Sequence, residues 1–217
     1  MADTKTTPQD VLSEIESRAP QSMHPILEAA FKYQKQLIIA VSIIIGLAAI
    51  YAGYNAYAAK AKVSAQNELG AILVEAPSKD QITKLEALLE TVPASVKSAV
   101  ILEIAQASMT HDDYAKAVTH WDMLVSETTG DMQFAARMGK AKALLLEGKG
   151  ADALTEMKEL VGIASDAYTV PVYRQLALAA ETAGDTAEAL TAYKKLIEKD
   201  VADKQFIDYK ISQLESK

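Results

Sequence analysis

Cysteine is absent from the 217-residue chain, and this absence alone excludes several kinds of protein. Without a thiol there is no disulfide, no thiolate zinc site, no iron–sulfur cluster and no cysteine nucleophile. Aromatic residues make up only 6% of the sequence, and 22 basic residues face 29 acidic ones, for a formal charge of −7. Nucleic-acid binding depends on a basic surface that contacts phosphates. The composition therefore disfavours thiol redox chemistry and predicts no nucleic-acid partner.

Motifs that carry catalytic or metal chemistry are also lacking. The three histidines, His24, His111 and His120, are not spaced like metal ligands on a helix. The sequence has no glycine-rich phosphate loop, nucleophile elbow or Ser/His/Asp arrangement. We therefore predict no enzyme activity, no catalytic residue, no metal and no cofactor. The acidic residues are interpreted as the solvated faces of amphipathic helices.

One long run without charged residues covers residues 36–59, between Lys35 and Lys60. As an α-helix this run is about 36 Å long, enough to cross a hydrocarbon core of about 30 Å with some tilt. Tyrosines recur near its end, where aromatic rings settle at lipid headgroups: Tyr51, Tyr54 and Tyr57. We predict a transmembrane helix over 36–59. The alternative is a cleaved signal peptide, but the apolar part of such peptides has about 7–15 residues, which favours an uncleaved anchor.

Residues 1–35 are expected to form a cytoplasmic tail. A lone N-terminal span usually keeps its short tail inside, and Lys32 and Lys35 resemble a cytoplasmic anchor, although basic residues are balanced on the two sides of the span. The large domain is then expected outside the cytoplasm. One short helix is predicted after Thr7, and a second from Pro25 into the span.

Two small residues, Ala49 and Gly53, lie four positions apart in the predicted span. Such pairs allow two transmembrane helices to approach closely, so this face is a candidate helix contact. The alternative is that no partner helix exists, since alanine and glycine are common in transmembrane helices.

The region after residue 94 matches itself with a period of 36 residues. Residues 184–190 align with 148–154 and, one period earlier, with 112–118. Four phases hold similar residue types in all three copies. These phases are Ala105, Ala141 and Ala177; Ala117, Ala153 and Ala189; Trp121, Met157 and Tyr193; and Leu124, Leu160 and Leu196.

Each phase has a use in a pair of antiparallel helices. Alanines let two backbones cross closely, and the larger residue and the leucine further along the second helix fill the space beside the crossing. Gly148 and Gly184 supply a left-handed turn between the helices, where the first copy has Asp112. The predicted repeats are 97–130, 133–166 and 169–202.

The segments on either side of the repeats are also predicted to be helical. Residues 60–93 break the 36-residue register and are interpreted as a helical linker with a degenerate helix pair around Pro77. Its apolar residues are Leu69, Ile72 and Leu73, followed by Ile82, Leu85, Leu88 and Leu89. At the other end, a closing helix is predicted to cap the repeat region 94–217. Its apolar face is predicted to hold Phe206, Ile207, Ile211 and Leu214.

The third copy resembles the tetratricopeptide repeat (TPR), since it has that family's residue types in order. The matching residues are Tyr173, Leu176, Ala177, Gly184, Asp185, Ala189 and Tyr193. The period of 36 rather than roughly 34 and the lack of a terminal proline mark a divergent version. The resemblance implies an all-α fold, with an N-terminal transmembrane helix followed by a TPR-like α-solenoid of helix-turn-helix repeats.

In TPR-like solenoids the first helices line a concave surface that binds peptides or partner proteins. By analogy, the protein-binding groove would contain Leu102, Gln106, Met109, Met138, Lys142, Leu145, Arg174, Leu178 and Glu181. Methionine, leucine and a few polar residues suit contact with many apolar segments. The alternative is that the same side chains pack between repeats.

The whole layout resembles the bacterial inner-membrane, single-span TPR-like proteins that serve as ancillary subunits of the Sec translocon. This resemblance implies a noncatalytic interaction module with its N-terminus in the cytoplasm and its C-terminal domain in the periplasm. Its implied partners are the translocon, a membrane-anchored prolyl isomerase or exported chains. The alternative is a self-assembling homo-oligomeric membrane scaffold, joined through its repeats and the Ala49/Gly53 face.

Overall fold

A computed structural model describes residues 32–75, 78–199 and 201–216. Across these ranges the chain forms nine α-helices and no β-strand, which confirms the all-α fold class. The chain divides into two compact units that meet between Ala59 and Lys60. The helices are α1 Gln34–Val74, α2 Lys79–Leu89, α3 Ala94–Thr110, α4 Tyr114–Glu127, α5 Gly130–Leu146, α6 Gly150–Val161, α7 Thr169–Ala183, α8 Thr186–Ile197 and α9 Lys204–Glu215, with a 3-10 turn at Asp166–Tyr168.

Helix α1 contains the whole of the predicted span and continues beyond it. Side chains of residues 36–59 are exposed, except that Ala58 is half-buried. Within the described part of the chain, α1 is the one helix long and apolar enough to cross a membrane. The helix continues past the span because the sequence has no proline between Pro25 and Pro77 to stop it. The tail helices predicted after Thr7 and from Pro25 lie outside the described residues.

The last turns of α1 pack with α2 and α3 in a first hydrophobic cluster. The buried side chains are Ala65, Leu69 and Ile72 of α1, Ile82, Leu85 and Leu88 of α2, and Val96, Val100 and Ile104 of α3. Ser78 caps α2 by accepting a hydrogen bond from the Gln81 backbone N–H at 3.3 Å, and the Gln81 amide donates to the Ile72 carbonyl at 3.1 Å. Leu73, expected in this apolar set, is 39% exposed.

Residues 94–197 form three successive helix pairs, α3/α4, α5/α6 and α7/α8. All four phases are buried as predicted, and the six phase alanines have no exposed surface. Asp112, Gly148 and Gly184 end the first helices in the left-handed region, with φ of 58°, 84° and 78°. Asp113 and Asp185 then cap the second helices through their side chains. Asp112 thus adopts the same turn as the two glycines, at the steric cost that a Cβ adds there.

Helix α9 covers the last repeat, with one correction to its predicted face. Ile207 and Leu214 are buried and Ile211 packs against the same cluster. Phe206 is 53% exposed, so its assignment to the capping face is wrong. The stripe at i, i+4 and i+7 is complete with 207, 211 and 214, and Phe206 lies about 100° away from Ile207 around the helix.

Candidate interaction surface

The structure separates the nine predicted groove residues into three sets, because α3, α5 and α7 each have neighbours on several sides. One set is fully exposed and lies at a single phase, one residue on each first helix. It contains Gln106, Lys142 and Leu178, which are 36 residues apart. Leu178 is 52% exposed.

A second set is half-buried between consecutive repeats. Leu102 and Met109 of α3 pack against a cluster that includes Ala136 and Ala143 of α5. Met138 and Leu145 of α5 pack against a cluster that includes residues of α7. The Gln175 side chain also donates to the Met138 carbonyl at 2.9 Å. At these phases each first helix therefore faces the next one.

The third set, Arg174 and Glu181 of α7, is engaged by the C-terminal segment. The Arg174 guanidinium binds both carboxylate oxygens of Asp203. Glu181 accepts hydrogen bonds from the Tyr193 hydroxyl and from the Lys210 ammonium, the latter at 2.7 Å. Arg174 thus pairs with Asp203, which precedes α9, and Glu181 pairs with Lys210 of α9. The C-terminal segment therefore lies where a following repeat would lie.

These contacts shift two ionisation equilibria. The hydrogen bond from Arg174 is the main cause that lowers the pKa of Asp203 below its ordinary value. Burial, followed by the hydrogen bond to Glu181, raises the pKa of the Tyr193 phenol. Asp203 is therefore held in its charged form and Tyr193 in its neutral form.

Six exposed residues missed by sequence reasoning lie on the same side of the first helices. They occupy two further phases of the repeat: Ala99, Ala135 and Pro171, and Thr110, Leu146 and Thr182. Together with Gln106, Lys142 and Leu178 they form the surface that we call the first-helix ribbon. The sequence did not mark these residues out, because Ala99, Ala135 and Leu146 have the same residue types as the core phases.

The ribbon is nearly free of charge. Lys142 is its one residue with a formal charge, and no acidic side chain in the described ranges forms an ion pair with it. Leu146 and Leu178 are each about half exposed, at 49% and 52%. The arrangement offers aliphatic and small side chains to a ligand and no group positioned for covalent chemistry. Across residues 32–75, 78–199 and 201–216, no three His, Asp or Glu side chains are grouped as metal ligands.

The candidate helix contact in α1 is open. Ala49 and Gly53 are exposed, and a Cβ built on Gly53 has no heavy atom within 4 Å. The face is therefore flat enough for the close approach that a small-xxx-small pair allows.

The helix pairs and their left-handed turns define a TPR-like α-solenoid that follows a long apolar helix. Solved structures agree with this class. The chain is similar to MamA 41-end from Desulfovibrio magneticus RS-1, with a TM-score of 0.54 and 17% identity over 72% of this chain and 94% of that one. It is also similar to the MamA RS-1 ArsTM double mutant, with a TM-score of 0.50 and 18% identity over 73% and 94%. No protein-family profile and no curated protein sequence matches the chain.

Proposed function

We propose that the chain is a membrane-anchored, noncatalytic interaction protein whose first-helix ribbon binds polypeptide segments of other proteins. One observation carries this proposal: three phases of the repeat remain exposed on each of α3, α5 and α7. Packing explains the buried phases, but it does not explain a half-exposed leucine at two places along the same ribbon. Solenoids of this kind use continuous surfaces of this type for extended ligands.

The anchor and the ligand class together favour a role at the membrane. Residues 36–59 would hold the protein in the bacterial inner membrane, with residues 1–35 in the cytoplasm and the repeats in the periplasm. There the ribbon would contact the Sec translocon, a membrane-anchored prolyl isomerase or exported chains that have not yet folded. Such chains expose apolar segments, which fit the aliphatic residues Leu146 and Leu178.

Photo-crosslinking in living cells tests this role. A photoreactive amino acid is placed at Leu178 or Lys142 of the ribbon, or at Thr191 of α8 as a matched control. Thr191 is also exposed but lies on a second helix. We expect both ribbon positions to capture translocon subunits or exporting chains and the control to capture neither. Equal capture from Thr191, or none from the ribbon, would contradict the proposal.

The open Ala49/Gly53 face favours a second candidate, a homo-oligomeric membrane scaffold. In this case the particle formed in lipid nanodiscs or mild detergent would contain several copies of this chain alone. Gly53→Leu would block close helix approach, and Leu178→Asp would place a charge on the exposed repeat surface. Light scattering that gives a monomer, or a mass unchanged by both substitutions, would refute the scaffold.

A further inference from the structure

The cap helix α9 exposes two large aromatic side chains. Phe206 is 53% exposed and Tyr209 is 62% exposed, one turn apart on the same helix. The cap of a repeat array normally turns a polar face to water, because no further repeat covers it. Capping therefore does not explain why Phe206 and Tyr209 are exposed.

The contacts of α9 fix the direction in which these aromatics lie. Ile207, Ile211 and Leu214 face the core, and Lys210 reaches Glu181 of α7 at 2.7 Å. At about 100° per residue, Lys210 lies some 60° from Ile207 toward α7. Phe206 lies about 100° and Tyr209 about 160° round in that same direction. Both aromatics are thus on the solvent side next to α7.

This position continues the first-helix ribbon. A shift of 35 residues aligns the core residues Ile207, Ile211 and Leu214 with Val172, Leu176 and Ala179 of α7. The same shift aligns the exposed Phe206 and Gln213 with the ribbon residues Pro171 and Leu178, and it aligns Tyr209 with Arg174, which lies beside the ribbon. Helix α9 therefore extends the ribbon as a fourth first helix, in addition to covering the last repeat.

Ion pairs neutralise the charged residues between the aromatics and α7, while Asp208 lies on the other side of α9. Arg174 is bound by Asp203 and Lys210 by Glu181, while the chain as a whole has a formal charge of −7. The end of the ribbon is thus an apolar and electrically balanced patch on an acidic protein. Such a patch matches an uncharged ligand, whereas a strongly acidic ligand would be repelled by the surrounding surface.

We propose that Phe206 and Tyr209, together with Pro171, form an aromatic end site next to Leu178 of the ribbon. This site binds an uncharged, extended polypeptide segment through its aliphatic or aromatic side chains. The inference rests on the proposed function, because it assigns a ligand class and a further helix to the same ribbon. Aromatic side chains contribute much contact area for little loss of side-chain entropy, which suits ligands of varied sequence.

Binding of synthetic peptides to the full chain in lipid nanodiscs tests the end site. Three fluorescent ten-residue peptides serve as probes: one with Leu, Phe and Pro among Ser and Asn, one with those apolar residues replaced by Ser, and one with its Asn replaced by Glu. Anisotropy titrations compare wild type with Phe206→Ser/Tyr209→Ser and with Leu178→Ser. Lys204→Gln/Asp208→Asn is the matched control, since both residues are exposed on the other side of α9.

We expect wild type to bind the uncharged apolar peptide best and Phe206→Ser/Tyr209→Ser to lose about tenfold in affinity. The Lys204→Gln/Asp208→Asn control should bind as wild type does. If Leu178→Ser weakens binding and Phe206→Ser/Tyr209→Ser does not, the end site is wrong and the proposed function stands. If wild type binds none of the peptides, or neither variant changes binding, both proposals fail.

A second measurement uses only the wild-type protein, so its result does not depend on whether the variants fold. The apolar peptide, synthesised with a central photoreactive residue, is cross-linked to the wild-type protein and the attachment sites are mapped by mass spectrometry. Attachment within α9 supports the end site. Attachment confined to α3 and α5, or spread over the second helices, overturns it.

Discussion

The indole of Trp121 packs against Gly139 and leaves no room for a side chain at this position. A Cβ added at Gly139 would lie 2.6 Å from the nearest ring atoms, closer than any stable contact. We expect Gly139→Ala to destabilise the fold by about 1–3 kcal/mol, because the buried ring must move. Denaturant unfolding followed by fluorescence measures this directly, since Trp121 is the one tryptophan of the chain.

Gly70 of α1 is the matched control for that substitution. It is also a helical glycine, but a Cβ at Gly70 has no heavy atom within 4 Å. Gly70→Ala should stabilise the helix by about 0.5–1 kcal/mol, because alanine is the better helix former. Equal effects of the two substitutions would mean that the Trp121 contact does not restrict Gly139.

Tyr193 gives the repeat domain a sensitivity to alkaline pH. Its pKa is raised in the folded chain by burial and by the hydrogen bond to Glu181. In the unfolded chain, a tyrosine ionises at about pH 10. The unfolded state therefore releases the proton first, and stability is lost as pH rises above about 10. Tyr193→Phe should show a shallower loss between pH 9 and 11 in unfolding experiments. An identical slope in the two proteins would contradict this role.

At the scale of elements, the exposed Arg174–Asp203 pair adds to the docking of α9, whose buried Ile207 and Leu214 pack in the core. The pKa of Asp203 is lowered by Arg174, so the stabilisation is present above the ordinary carboxyl pKa of 3.8 and is lost as pH falls through the lower folded value. We expect α9 amides to exchange hydrogen faster at pH 3 than at pH 6, after correction for intrinsic rates. Asp203→Asn should already exchange faster at pH 6. Rates that do not depend on pH in the wild type would refute this.

Sequence periodicity was enough to find the helix pairs but not every contact between them. The alanines, leucines and left-handed turns recur because each helix pair packs in the same way. A period of 36 residues in the sequence therefore reveals them. Leu102 and Met138 are different: a first helix has one side toward its own pair and another toward the next repeat. The sequence pattern does not distinguish the side that faces the next repeat from a side that faces solvent.

Two further features depend on tertiary contacts that have no periodic signal. Phe206 was assigned to the wrong face, because an apolar residue beside Ile207 reads as part of the same stripe. Arg174 and Glu181 have partners in the C-terminal segment, Asp203 and Lys210, outside the register of the three repeats. The exposed ribbon was also missed, because Ala99 and Ala135 have the same residue type as the core alanines.

The proposed topology of the whole molecule can be read from cysteine labelling, because the natural chain has no cysteine. Thr155→Cys introduces a thiol at an exposed position of α6, and Thr4→Cys introduces one in the N-terminal tail. In cells stripped of their outer membrane, a membrane-impermeant maleimide should label Thr155→Cys alone. Permeabilised cells should give both products, as the control. Labelling of Thr4→Cys in intact cells would reverse the proposed orientation.

The stacking of first helices also determines how long a polypeptide segment the ribbon can bind. Neighbouring helices pack about 10 Å apart, so the ribbon from α3 to α9 is about 30 Å long, the span of roughly nine residues of extended chain. Each step of about 10 Å from one first helix to the next then corresponds to about three residues of a bound chain. A shorter segment would leave one end of the ribbon empty, so residence time should increase with segment length until all four helices are occupied.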